Sequence, residues 1–484
     1  MDESIAFAPA VGLARLVRER KVGALELLEA HLARVDCLNP RINAVVVQRA
    51  DEARRTARER DAQTARGGEL GPLHGVPMTV KESFDIPGLP TTWGFPEQRG
   101  NIAERPALAV ERLERAGAVI FGKTNVPVAL ADWQSFNPVY GTTNNPWNVE
   151  CGPGGSSGGS AAALAAGLTG LELGSDIGGS IRGPAHFCGV YGHKPTYDIA
   201  PGDGQALPGK YAPTDITVIG PLARSARDLE VALETIAGPN ARDARGYRLA
   251  LPREERTKLS DFRVAVMLTA PSAEVDEAVQ GEIEKLGRWL EGEGVRVDWR
   301  AVPTDPTAAH EAYIMLLRAA TAGRLTEEQL TKLARERQSL DPSRSDYHAW
   351  MLRGVTMSHW EWLRWDNERH RIRREWERFF ESYDLLLCPA AATTAFPHNQ
   401  QGERWERMVR VNGADQPSTT QMLWAGYSGM VFLPSTVAPI GRADDGLPVG
   451  VQIVGPQYGD LSCIRFAQLI ERAYGGFVPP PGFA

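Results

Sequence analysis

The feature that most constrains this chain is a glycine-rich stretch from Gly152 to Gly189 that holds two serines, Ser156 and Ser180, each set among glycines. Its first half reads Gly154-Gly155-Ser156-Ser157-Gly158-Gly159-Ser160 and runs into Ala161-Ala162-Ala163-Leu164-Ala165-Ala166, a turn leading into a strong helix former. Its second half reads Gly174-Ser175-Asp176-Ile177-Gly178-Gly179-Ser180-Ile181-Arg182. Glycine accepts positive φ and leaves neighbouring N–H groups unshielded, which is what an oxyanion hole for acyl transfer requires. Ser180 is therefore the candidate nucleophile. Plainer readings stay open beside this one: Ser156 as a capping residue of the Ser160–Ala166 helix, and Ser180 as the opening of the helix after it.

A serine nucleophile needs a base, and no histidine stands in a comparably special context. A lysine does. Leu73-His74-Gly75-Val76-Pro77-Met78-Thr79-Val80-Lys81-Glu82 sets Lys81 at the end of a short apolar strand. A lysine base must be neutral, and bringing its pKa from about 10.4 to near 7 costs roughly 4 to 5 kcal/mol, which only a desolvated site can impose. Val76 and Val80 fit such burial; a solvated lysine at a strand end is the alternative. Ser156 would then stand between Lys81 and Ser180 as a proton shuttle.

Taken together, Lys81, the Gly-Gly-Ser-Ser-Gly-Gly-Ser run and Asp-Ile-Gly-Gly-Ser-Ile-Arg resemble the amidase signature family of serine hydrolases. Further matching pieces are Gly122-Lys123-Thr124-Asn125, the segment from Tyr140 to Asn148, His193-Lys194-Pro195-Thr196, Gly220-Pro221-Leu222-Ala223-Arg224-Ser225 and Gly446-Leu447-Pro448-Val449-Gly450-Val451-Gln452. The resemblance implies that Ser180 is acylated, that Ser156 relays the proton across a cis peptide bond and that Lys81 is the base. It also implies that the backbone N–H groups of Ile177, Gly178, Gly179 and Ser180 hold the oxyanion, with Asp176 and Arg182 bracing the loop. Glu82 stands where the family commonly has aspartate, and Cys151 where arginine is common.

Two other patterns fail on context. Gly117-Ala118-Val119-Ile120-Phe121-Gly122-Lys123-Thr124 matches a phosphate loop, but its middle is β-branched and aromatic and Asn125-Val126-Pro127 does not open a helix. Gly155-Ser156-Ser157-Gly158-Gly159 matches a nucleophile elbow, which would elect Ser157, but no apolar strand precedes it. His186, Cys188 and His193 have loose metal-like spacing without a second pair, so core or hydrogen-bonding roles are expected and no metal or other cofactor.

With 484 residues the chain exceeds a typical domain, yet no linker, repeat or low-complexity segment divides it; one amidase domain over 1–484 is expected. Alternating strands and helices predict an α/β fold, a large mixed β-sheet core covered by helices on both faces, as the resemblance also implies. Strands are expected over 42–47, 118–121, 263–268, 295–299, 384–388 and 434–437, and helices over 13–20, 24–35, 51–66, 105–116, 225–237, 274–292 and 461–474. The region 307–382 reads as almost wholly helical and less family-like. Its Trp350, Trp360, Trp362, Trp365 and Trp376 fit either core packing or a pocket wall.

A net charge of −7 argues against a nucleic-acid surface. Five cysteines, far apart and odd in number, argue against a disulfide framework and for a reducing cytoplasm. The start of the chain lacks a signal-peptide pattern and no apolar run is long enough to span a bilayer, so no membrane partner is expected. The partner expected is a small amide, with a homodimer permitted.

The activity expected is cleavage of a carboxamide C–N bond through an acyl-enzyme, extending to esters or carbamates. The alternative is the amidase subunit of a glutamyl-tRNA amidotransferase; the aromatic run around Trp360 favours something bulkier than glutamine. By register with the family, Leu130-Ala131-Asp132-Trp133-Gln134 passes beside Ser180, with the Leu130 backbone near the leaving nitrogen and Asp132 and Trp133 lining the pocket. A carboxylate there repels anions and an indole offers a flat face, so a neutral or cationic, partly aromatic amide is expected.

Overall fold

Apolar runs too short to be anything but buried strands lie between amphipathic helices along most of the chain, and they assemble into two main sheets. A computed structural model describes residues 3–483. The larger sheet has eight strands in the spatial order Arg296–Asp298, Arg263–Val266, Leu385–Pro389, Pro448–Val454, Ser435–Arg442, Tyr191–Lys194, Val218–Ala223 and Glu172–Asp176. Its first three strands run parallel and the remaining pairings are antiparallel, so the sheet is mixed. A smaller sheet sets Val119–Thr124 between Val45–Gln48 and Pro77–Lys81. Helices cover the sheets, and the fold is the α/β architecture expected.

Several boundaries differ for local reasons. Ile42 closes the helix Ala24–Ile42 rather than opening a strand; Asn43 adopts φ 53°, and Asn39 Oδ1 accepts from the Ala44 and Val45 N–H groups, launching the strand at Val45. The helix expected from Arg105 starts at Leu108, because the Ala107 and Leu108 N–H groups donate to Asp85 and Asp203 carbonyls of neighbouring loops. The strand Pro448–Val454 lies inside the sheet, although Pro448 and Gly450 mask its alternation; Gly450 is needed because a Cβ there would lie 2.9 Å from Val437 Cγ1.

The region 307–382 is four helices, Pro306–Ala322, Glu327–Gln338, Tyr347–Val355 and His359–Ser382. Its tryptophans do not form a common wall. Trp376 is core, T-stacked on Tyr427, whereas Trp360 is 65% exposed and Trp362 and Trp365 are half-buried against the core.

The false phosphate loop is the strand Val119–Thr124, buried throughout. His186 bonds the Gly450 and Thr393 backbone, and His193 lies between Asp460 and Thr436. None of the five cysteines is in a disulfide. Among the described residues no cluster of His, Cys, Asp or Glu could hold a metal ion, and no helix is long and apolar enough to cross a membrane.

Candidate active site

Lys81 ends the fully buried strand Pro77–Lys81, and the edge strand Glu172–Asp176 of the large sheet comes alongside it. The Lys81 side chain is 0% exposed. Its Nζ lies 2.6 Å from Ser156 Oγ and 3.0 Å from Ser175 Oγ. Burial lowers its pKa from 10.5 to about 7, helped by Arg324 and opposed by Asp176 and Glu172. A buried lysine with no carboxylate in contact holds a substantial neutral fraction near neutrality.

Ser156 is held by its own turn. The Gly155–Ser156 peptide bond is cis. Gly155 admits no side chain, since a Cβ would lie 2.3 Å from the Asp132 carbonyl oxygen. In the helix that follows, Gly158–Ala165, the N-cap position is held by Ser157, without a side-chain cap hydrogen bond, and not by Ser156. Ser157 is fully buried; its N–H donates to the Ser180 carbonyl at 3.1 Å and its hydroxyl points to the Ser175 carbonyl. A hydroxyl directed at the Ser175 carbonyl argues against the elbow reading.

The loop after Glu172–Asp176 carries Ser180, and Asp176 shapes it. Its carboxylate accepts from the Gly179 and Ile181 N–H groups at 2.9 and 3.0 Å and from Arg182 Nη2 and Nε at 2.8 and 3.0 Å. Burial alone would raise this carboxyl, but Arg182 and the backbone donors hold it well below the usual carboxylate range. Arg182 in turn reaches the Ala425 carbonyl and Gln452 Oε1, tying the loop to the core. Side chains also fix the carbonyls of this loop: Trp133 Nε1 donates to Gly178 at 2.8 Å and the Tyr313 hydroxyl to Ile177 at 3.1 Å. Of the four N–H groups expected to hold an oxyanion, that of Gly179 is committed to Asp176, which leaves Ile177, Gly178 and Ser180 as candidates.

A cavity of about 100 Å³ opens beside Ser180. Leu130, Asp132, Trp133, Ile177, Gly178 and Ser180 line it; Gly179, Lys81 and Ser156 do not. The register expectation for 130–134 therefore places these residues at the cavity. Leu130 follows Ala129 in a turn with both at positive φ, and its side chain is buried.

The family model for Amidase matches residues 26–464. The chain belongs to the amidase signature family. An indoleacetamide hydrolase of Bradyrhizobium diazoefficiens is 33% identical over 477 residues, covering 96% of this chain and 86% of that protein. A glutamyl-tRNA(Gln) amidotransferase subunit from Anaeromyxobacter sp. (strain K) is 34% identical over 489 residues, covering 96% of both. Among solved structures, a 6-aminohexanoate cyclic dimer hydrolase superposes with a TM-score of 0.78 at 26% identity, covering 99% of each chain. The amidase family match makes this chain an amidohydrolase.

The substrate side corrects the sequence expectation. Asp132 is not an unbalanced negative charge: its Oδ2 accepts from Arg407 Nη1 at 2.6 Å, in a pair whose side chains are only 12% and 10% exposed. The same cavity is lined by Arg318, Arg324 and Arg404. The charge that would repel anions is neutralised and outnumbered, so the argument for neutral or cationic substrates fails. The tryptophans of 350–376 do not line this cavity either, and the case for a bulkier substrate built on Trp360 lapses with them.

Sequence reading missed Ser175, Gln205, Tyr313 and the arginines. Gln205 Nε2 donates to Ser175 Oγ at 2.9 Å, so the turn-rich loop after Thr196 reaches the lysine through one hydroxyl. Glu82, the unusual acid after Lys81, is buried and accepts from the Thr92 and Trp93 N–H groups at 2.6 and 3.0 Å, bracing a loop without touching Lys81.

Proposed function

We propose that this amidase works as one domain through a Lys81–Ser156–Ser180 triad, cleaving the C–N bond of a small carboxamide. The observation that carries the reading is the buried Lys81, 2.6 Å from Ser156 Oγ, with no carboxylate in contact. Ser180 Oγ attacks the substrate carbonyl carbon as its proton passes to Ser156 and the Ser156 proton passes to Lys81 Nζ. The N–H groups of Ile177, Gly178 and Ser180 take the developing oxyanion. The Lys81 ammonium then returns a proton through Ser156 to the leaving nitrogen, the C–N bond breaks, and an acyl ester remains on Ser180. Water, deprotonated along the same path, attacks that ester and releases a carboxylic acid. Activated esters and carbamates fit the same steps.

A hydrolase is favoured over an amidotransferase component by the cavity itself. Glutamine carries an α-ammonium as well as a carboxylate, and Asp132, the only acidic side chain among the described residues that line the cavity, is taken by Arg407. The purified chain alone should hydrolyse simple aryl amides, Ser180→Ala should abolish turnover, and an alkyl fluorophosphonate should label Ser180 in the native protein. Labelling at Ser157 instead would sink the assignment.

A further inference from the structure

The amidohydrolase cavity carries more positive charge than its own side chains balance. Arg407 is matched by Asp132, but among the described residues Arg318, Arg324 and Arg404 form no ion pair. Arg318 is 8% exposed; its Nη2 reaches the Tyr347 hydroxyl, and its buried Nε has no hydrogen-bond partner. Arg324 Nη1 donates to the Ala129 carbonyl at 2.8 Å and its guanidinium sits 5.4 Å from the centre of the Trp93 ring. Arg404 Nη1 donates to the Ala131 carbonyl. Two of the three guanidiniums are thus held against the turn that lines the cavity at Leu130, with donors to spare.

Burial lowers the pKa of both Arg324 and Arg404, and each is lowered further by Arg318, an effect that Tyr347 and Asp132 oppose only in part at Arg404. Arginine does not shed its proton in proteins, so the mutual repulsion of three such groups persists until an anion enters. An uncompensated charge is not placed in a partly desolvated site without cost, and a planar carboxylate is the ligand whose two oxygens match a guanidinium fork.

We propose that the substrate is an amide bearing a carboxylate, and that Arg318, Arg324 and Arg404 bind that carboxylate while Ser180 attacks the amide. This rests on the Ser180 reading above for where the amide lies, but not for where the carboxylate does. The recognition is for an anion without a neighbouring cation, because no free carboxylate among the described residues lines the cavity to receive one. Arg407, locked to Asp132, holds the turn that carries Trp133 rather than the ligand.

Two matched pairs of anilides test it. With the carboxylate on the acyl side, N-phenylsuccinamate is compared with 4-methylvaleranilide; with the carboxylate on the leaving amine, 4-acetamidobenzoate is compared with 4-isopropylacetanilide. In at least one pair the carboxylated member should show a kcat/KM at least tenfold higher. Arg318→Gln, Arg324→Gln or Arg404→Gln should cut that ratio at least tenfold, mainly through KM, with the Arg→Lys variants retaining part of it. A preference for the neutral member of both pairs overturns the proposal, as does a ratio that none of the three variants moves. Binding separates this inference from the catalytic one. Ser180→Ala protein should be stabilised in thermal melts by the preferred carboxylate and not by its neutral partner. Stabilisation of that kind without turnover by the native protein would keep the anion site and reject the triad; turnover with no carboxylate preference would do the reverse.

Discussion

The floor of the site and its wall are built on different plans. The floor, Lys81 with the turns around Ser156 and Ser180, draws on three short segments whose chemistry is carried by neighbours in sequence: Asp176 braces Gly179 and Ile181, a few residues away. The wall draws on side chains far apart in the chain, as Asp132 and Arg407 are, 275 positions from each other. The floor is buried, and its ionised pair, Asp176 with Arg182, is balanced from within. The wall holds three guanidiniums with no carboxylate of their own among the described residues. On the proposed mechanism the reaction belongs to the floor and the choice of substrate to the wall, so the first should resist change and the second should tolerate it.

The sharpest way to break that division is to attack the floor. Lys81→Ala should lower kcat/KM on anilides by about 10²- to 10⁴-fold, the range of a general acid–base, and lower it far less on activated esters, whose leaving alkoxide needs no proton. Equal losses on both would make Lys81 a structural residue. Next in size, Asp176→Asn strips Arg182 of its buried counter-charge, and leaving such a charge unpaired costs about 3 to 5 kcal/mol. A large fall in melting temperature together with lost turnover is expected; a variant as stable as the parent would mean that the loop does not depend on this pair.

This contrast also explains what could be read in advance. The meeting of Lys81 with Ser156 was legible because glycine turns and a buried strand end leave compact local patterns, and the bracing by Asp176 and Arg182 was implied by the resemblance to the family. Most helices were legible for the same reason, as periodicity is local, whereas the strands Glu172–Asp176, Tyr191–Lys194, Val218–Ala223 and Pro448–Val454 of the large sheet were not expected. Arg318, Arg324 and Arg404 gave no signal: each resembles any solvated arginine until the helix Pro306–Ala322 and the turn before Met408 are packed over Leu130. Asp132 misled because a carboxylate seen without its partner looks like a free charge. The tryptophans misled in the opposite direction, since i, i+3 spacing on His359–Ser382 does not say which face meets a cavity. The resemblance to the family put Gly179 among the oxyanion donors, and no local pattern shows that its N–H donates to Asp176.

Trp133 joins the two regions. It lines the cavity, and its indole N–H holds the Gly178 carbonyl at 2.8 Å. Trp133→Phe keeps the flat face and removes that donor, so about 1 kcal/mol of loop ordering is lost. A fall in kcat of about fivefold with KM nearly unchanged is expected. A change confined to KM would mean that the ring acts only as a contact surface.

The smallest effect expected links wall to floor electrically. The Lys81 ammonium is disfavoured first by burial and also by Arg324, so its pKa stands at about 7. Because the base must be neutral, kcat/KM for an uncharged anilide should fall as pH drops through about 7 and level off above it. Removing the positive charge in Arg324→Gln favours the protonated lysine, which raises its pKa and moves the acid limb to higher pH, by less than about one pH unit given the larger share taken by burial. The neutral substrate keeps carboxylate binding out of the comparison, and the position of the limb, unlike the absolute rate, is insensitive to the amount of folded enzyme. A limb that stays in place would mean that Arg324 acts on the ligand alone and that floor and wall are independent; a limb that moves to lower pH would contradict the sign of the coupling between Arg324 and Lys81.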